Sequence, residues 1–498
     1  MRYSSFILLF LSAALCTTRL TAQNNAGSTA AQNTAGAPDA VGSTLTLPQA
    51  VAIAIKNNLL VNQADLNSKG YKISFDQSWE YMLPTISASG GQFENFGRTL
   101  VTTNNSYAST EFNSGSAGIN GGLTLFHGLV LQNNIRMQRY VWDASKMDLQ
   151  AQKDNITLTV LLDYLSILSN RDQVNLAYEQ AKVDSVTLDR LTAQSQAGAL
   201  APVSNLTDLQ GQYAGDQINI ATAINTLEQS KVALFALLNV PYNRDVEYQN
   251  TVTATDINQY PATSDSIFTH AMGIIPTIKS AQLKVFEYEK NLAVQRGYYY
   301  PTISLNGSVS TNWTNAPSPT STTVTSSAIQ KSTSTFTDAA GNNPVYDLVP
   351  LTYQNIYPKF SDQFKNDRGE SIGLSVSIPI LNGLQTRNNV RQAKLTLKNY
   401  QYQNANARFT LQQNVESAFQ NMILAYKSYK FYVQQAAAFK ESFRVTNLRF
   451  EQGVIASDVY ILAKGNSDRA EVNLAAAKYI YLFRTKVLDY YQGKLTIE

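Results

Sequence analysis

Two histidines, His127 and His270, and one cysteine, Cys16, are all the chain offers for soft metal ligation or thiol chemistry. His270 falls on a predicted helix away from other ligand-type residues, and His127 sits at a strand-to-helix junction where a polar turn residue suffices. No Gly-rich phosphate loop, metal spacing or nucleophile motif is found, so no catalytic, cofactor or metal site is expected. Asp458 stands just after a glycine turn, where its carboxylate suits the N-cap of a helix starting at Val459. The 498 residues hold 39 Lys+Arg against 36 Asp+Glu, with only 15% charged and no long run of one sign. That balance argues against nucleic-acid binding. Mean hydropathy is −0.20, and no long apolar run follows the N-terminus. A polytopic helical membrane protein is thereby excluded.

The elements that position these residues come in two copies. Pro84-Thr85-Ile86-Ser87 recurs as Pro301-Thr302-Ile303-Ser304, a shift of 217, which also superposes Ala64 and Leu66 on Ala281 and Leu283. Gly128-Leu129 with Asn133-Asn134-Ile135-Arg136 recurs as Gly383-Leu384 with Asn388-Asn389-Val390-Arg391, a shift of 255 that also puts Gly198 on Gly453. The 38 extra positions lie between Pro301 and Gly383, so the second copy carries an insertion there, placed at 314–370. The expected layout is a signal peptide over 1–22, basic then apolar then small; a flexible leader over 23–44; a first repeat over 45–240; a linker over 241–261; and a second repeat over 262–498. Cleavage near Ala22 would remove Cys16; bulky Leu15 before it fits a lipoprotein signal poorly.

Each repeat has one internal order. A helical stretch, Leu47 to Leu83 or Asp265 to Tyr300, ends at Pro84 or Pro301, which cannot continue a helix. Strands are predicted at about 84–96 and 115–126, and at about 301–313 and 371–380. Ile372, Leu374, Val376, Ile378 and Ile380 alternate with Ser371, Gly373, Ser375 and Ser377, giving one apolar and one small polar face. From Leu129 to Ala197, and from Leu384 to Gln452, there are 69 residues without Gly or Pro. Each such helix would span roughly 100 Å. Leu411, Val415, Ala418, Met422, Ala425, Tyr429, Tyr432 and Ala436 alternate by four and three, the coiled-coil period. The first copy keeps the stripe at Ile156, Val160, Ile167, Val174, Ala177 and Ala181 but breaks it at Asp163, Asn170 and Asp184. Return legs, Pro202 to Val240 and Ser457 to about Gln492, would run with the incoming helices end to end beside the long ones.

Strands with one apolar and one polar face fit a barrel wall between lipid and water. Four cannot close a barrel, and lipid tolerates no open sheet edge, so several copies must share one. Trp79, Tyr81 and Tyr298-Tyr299-Tyr300 would form one interfacial girdle, Trp313 and Phe96 the other. The alternative is a secreted coiled-coil structural or adhesive surface protein with a soluble β-rich cap.

On the order of these elements, the Pro-Thr-Ile-Ser entries, the Gly-Leu exits and the tip Arg449-x-x-x-Gly453, the chain resembles the TolC-like outer-membrane efflux channels of Gram-negative bacteria. The resemblance implies a mostly helical fold with a membrane β-barrel portion: a homotrimer sharing a twelve-stranded barrel in outer-membrane lipid, with a coiled-coil tunnel projecting into the periplasm. It further implies docking with a periplasmic adaptor (membrane fusion) protein and an inner-membrane transporter, to expel drugs, toxic solutes or secreted proteins. It assigns barrel–helix junctions to Pro84, Gly128, Pro301 and Gly383, and an adaptor-contact tip to Arg449, Gly453 and Gly198. The first tip departs from the pattern, with Gln194 in place of Arg449. Asp458 is the nearest match to the acidic ring that narrows the pore in relatives, although five residues separate it from Gly453 where six is usual.

Overall fold

A computed structural model of the chain describes residues 44–101, 106–108, 111–196, 203–250, 257–315, 318–324, 329–331, 346–348, 353–356 and 359–494. The signal peptide and most of the leader expected over 1–44, with Cys16, lie outside the described residues, as does Gly198.

In the first repeat β1 (Thr44–Leu45) leads to α1 (Leu47–Asn57), α2 (Leu59–Glu80), β2 (Thr85–Asn95), β3 (Phe112–His127), α3 (Val130–Gln196), α4 (Val203–Leu238) and β4 (Glu247–Tyr248). The second runs α5 (Ser264–Ile274), α6 (Pro276–Gly297), β5 (Thr302–Thr314), α7 (Phe360–Asn366), β6 (Gly369–Ser377), α8 (Gln385–Glu451) and α9 (Ser457–Tyr491). Each incoming stretch, read from sequence as one helix, is two. Asn58 ends α1 and then caps α2, its Oδ1 accepting from the N–H groups of Leu60 and Val61 at 3.0 and 3.4 Å. Pro276 opens α6, where it needs no N–H partner, after the extended Ile275. The last strand stops at Ser377, short of the expected Ile380, because Pro379 has no N–H for the ladder.

The long helices α3 and α8 are 67 residues each. Along α3, α2 packs near its start, where Phe75 stacks on Trp142 at 5.7 Å. Further on, α4 continues that line: Leu234, Phe235 and Leu238 join the core of Val160, Leu161 and Ile167. Val415 and Met422 of α8 lie in one core with Ile278 of α6 and Tyr481 of α9. Tyr164 donates to the carbonyls of Leu45 and Gln249 at 2.9 and 2.8 Å, fixing the parallel pair β1–β4 on the side of α3.

Four strands form one antiparallel sheet in the order β2–β3–β5–β6, a meander in chain order. The helices repeat that order, with α3 between α2 and α6, and α6 also against α8. At both strand-to-helix exits two successive residues are left-handed: Gly128 (φ 56) with Leu129 (φ 61), and Gly383 (φ 65) with Leu384 (φ 64). The exits are packed differently. A Cβ on Gly128 would lie 2.1 Å from the Gly297 carbonyl oxygen and 2.9 Å from Tyr300 Cβ, whereas one on Gly383 would meet nothing within 4 Å. Both Gly→Ala changes pay the left-handed penalty, about 1–2 kcal/mol. Gly128→Ala should add about 1–3 kcal/mol of overpacking. Its thermal midpoint should therefore fall well below that of Gly383→Ala; equal midpoints would show that the Gly128–Gly297 approach is relieved at no cost.

Candidate functional site: sheet wall and helical tip

The sheet has two chemically distinct faces. Register pairs Ile303, Leu305 and Gly307 of β5 with Val376, Leu374 and Ile372 of β6, so these residues share one face with Val309 and Ile119 of the paired strands. Ile372, Leu374 and Val376 are 81%, 63% and 56% exposed. The opposite face is a hydroxyl and amide ladder. Ser308 and Ser371 Oγ lie 2.8 Å apart, Asn306 Nδ2 donates to Ser375 Oγ at 3.0 Å, and Asn95 Nδ2 donates to Ser114 Oγ at 2.9 Å. The strands hold 11, 16, 13 and 9 residues, each enough for a tilted membrane crossing of about 9–11. Among the described residues, β2 and β6 each pair on one side only.

The helices flanking these edges carry exposed apolar stripes. Leu59, Leu66 and Ile73 of α2 are 67%, 66% and 68% exposed, and Leu395, Tyr402 and Phe409 of α8 are similarly bare. Both stripes advance by seven residues, the spacing of a coiled-coil seam. Trp79, Tyr81 and Tyr298–Tyr300 cluster at the junction end, all more than one-third exposed. Pro84 and Pro301 stand just before β2 and β5.

At the far end, α8 closes on Gly453 (φ 72): Gly453 N–H donates to the Phe450 carbonyl and Val454 N–H to the Arg449 carbonyl, both at 3.0 Å. Arg449, Gly453 and Val454 are exposed. Glu451 pairs with Arg190 of the first repeat at 2.9 Å. Asp458 is exposed but is not the N-cap. The helix starts two residues before the expected Val459, at Ser457, with Ala456 at the cap and no side-chain cap bond. Ser457 turns inward instead, donating to Asp208 at 2.8 Å. Asp458 therefore sits in the first turn, where Oδ1 accepts the Val459 N–H at 2.8 Å and its charge meets the positive helix end.

One constellation was not anticipated. Lys464 of α9, fully buried, lies 3.2 Å from Asp184 of α3, 3.4 Å from Asp216 of α4 and 2.6 Å from Asp468 of α9. Tyr460 donates to Asp184 Oδ1 at 3.4 Å and sits 3.3 Å from the Thr187 hydroxyl. Asp184 Oδ2 meets Lys464 as an ion pair without hydrogen-bond alignment. Burial disfavours the Lys464 charge, yet Asp468 and Asp184 hold it protonated above the ordinary lysine value. Burial pushes Asp184 up to about 7, with Lys464 opposing the shift. This is a clasp between the two repeats just inside the tip. Its signal in the sequence was the break in the apolar stripe at Asp184; its partners are too far away in the chain to be paired by inspection.

His127 contacts Tyr298 edge-on at 5.4 Å and His270 is exposed on α5. Among the described residues no group of His, Cys, Asp or Glu could hold a metal, and no helix is long and apolar enough to cross a membrane.

Residues 274–488 match the profile of the family described as Outer membrane efflux protein. No curated protein matches the chain in sequence. Among solved structures, VceC of Vibrio cholerae aligns with TM-score 0.68 at 10% identity over 90% of this chain and 97% of its own. The CmeC outer membrane channel of Campylobacter jejuni gives 0.67 at 16% identity over 90% and 86%. The open state of the Neisseria gonorrhoeae MtrE outer membrane channel gives 0.64 at 18% identity over 91% and 90%. At such identities the likeness is one of fold, and it extends over both repeats. The second repeat thus matches the outer membrane efflux protein family in sequence, and the whole chain shares the fold of these outer membrane channels.

Proposed function

We propose that three copies close head to tail into one conduit through the outer membrane, with the helices extending into the periplasm as a tunnel. The carrying observation is the four-stranded sheet with an apolar face, a polar face and two edges that are unpaired among the described residues. Lipid tolerates no open edge. In the meander the outer strands β2 and β6 run antiparallel to each other, so β6 of one copy can continue the ladder onto β2 of the next. Two copies would give eight strands and three give twelve; the family resemblance favours three. The seven-spaced stripes on α2 and α8 flank the same edges and would be covered by the same closure. Nothing in the chain supplies energy, so the conduit is a passive exit for drugs, toxic solutes or secreted proteins, driven by an inner-membrane transporter through a periplasmic adaptor. Arg449 and Gly453 at the tip are the proposed adaptor contacts. The reading is tested by isolating outer-membrane fractions. A heat-resistant trimer that gives conductance steps in planar bilayers supports it, and a soluble monomer overturns it in favour of a secreted stalk.

The pore constriction is assigned to Asp458. Three exposed carboxylates near a common axis attract cations and repel one another. Asp458→Asn removes the charge and costs only about 0.3–1 kcal/mol of helix-end stabilisation. Cation preference in bilayer recordings should drop while trimer yield holds; unchanged selectivity would exclude the ring.

A further inference from the structure

The short helix α7 lies within the insertion yet is built onto the sheet. Gln363, buried, accepts the Thr314 N–H through Oε1 and donates Nε2 to the Thr314 carbonyl, both at 2.7 Å. The Thr311 hydroxyl donates to the Phe364 carbonyl at 3.2 Å. Phe360 meets Trp313 edge-on at 5.3 Å, and Phe364 lies 5.8 Å from Phe360. The face on which this happens is fixed by register. Thr311 and Trp313 alternate in phase with Ile303, Leu305 and Val309, so they stand on the apolar face of the sheet. Trp313 lies across Gly115 of β3, where a Cβ would fall 2.3 Å from its ring. The helix therefore packs against the apolar face at the end of β5 remote from the helices. Its two phenylalanines extend that face and remain 44% and 41% exposed.

We propose that α7 is an interfacial helix seated in the outer leaflet, with Phe360 and Phe364 among the lipid acyl chains beside Trp313 and Lys365 on the water side. This rests on the sheet being a membrane wall, as proposed above. The occupant follows from continuity. The strip from Ile303 to Val309 is the lipid-facing surface, Trp313 stands at its rim where aromatic girdles form, and the phenylalanines prolong the strip without a break. Around the helix, Lys365 is about 100° from Phe364, which turns it away from the phenylalanine side. The seat is rigid rather than adaptive, because Gln363 engages both backbone groups of Thr314.

Nitroxide labels at Phe364→Cys, Lys365→Cys and Leu374→Cys, each in protein reconstituted into phospholipid vesicles, test this, with the unsubstituted chain as labelling blank. The proposal expects Leu374 and Phe364 labels to collide more with oxygen than with a water-soluble nickel chelate, and the Lys365 label to show the reverse. A Phe364 label as nickel-accessible as Lys365, with Leu374 still lipid-protected, overturns the interfacial helix alone. Protection of Phe364 from both reagents also overturns it and places the helix against a neighbouring copy. Nickel access at Leu374 as well removes the membrane wall and this proposal together.

Discussion

Lys464→Met should cost about 3–5 kcal/mol, because removing one partner of a buried ion cluster strands the remaining charge. Here Asp184, Asp216 and Asp468 would be left facing one another without the Lys464 ammonium between them. The loss should register as a lower thermal midpoint and as proteolysis of the tip before the rest of the helices. Adding Asp184→Asn to Lys464→Met should recover part of the loss; a single-mutant loss below about 1 kcal/mol would mean that water or counterions already reach the cluster. The clasp is also linked to protons. Folded Asp184 holds its proton to about pH 7, whereas in the unfolded chain it is lost near pH 4. The Asp184 contribution to stability is therefore complete below about pH 4 and is lost as pH rises through about 7. Asp184→Asn should flatten stability across that window.

Leu374→Arg should abolish barrel assembly. Arg at mid-depth on a lipid-facing strand position costs roughly 2–4 kcal/mol per chain, and the proposed ring multiplies that by the number of chains. Val376→Arg should behave alike, since both side chains lie on the apolar face. Ser375→Arg, one residue away, points into the hydroxyl ladder and should instead leave outer-membrane levels near normal while changing conductance. Normal levels of Leu374→Arg and Val376→Arg would contradict the assignment of the apolar face to lipid.

What the sequence made legible followed from short-range rules. Alternation at Ser371–Ser377 and the Gly/Pro-free runs fix strands and long helices through local periodicity, and the Pro and Gly at the junctions punctuate them. The helix break at Asn58 was harder to see: a residue that ends one helix and caps the next leaves the apolar spacing intact. The cap lies two positions before Asp458, at Ala456, and Ser457 gives its hydroxyl to Asp208, a partner 249 residues away. The pairing of Lys464 with Asp184 and the seat of α7 on Thr314 were likewise beyond local reading, although the stripe break at Asp184 marked one member of the clasp. The clasp joins residues brought together only when the repeats lie side by side, the α7 seat joins residues 49 positions apart across the insertion, and a lone Lys in a helix looks like any solvated one.

The open edges of the sheet also have a consequence in genetics. A chain with a blocked edge can still join a ring through its sound one, and the ring then fails as a unit. In a cell making sound and damaged chains equally, only about one three-chain ring in eight would contain no damaged member. Edge-damaging alleles should therefore be dominant over a wild-type copy, while a deleted copy would merely halve the supply.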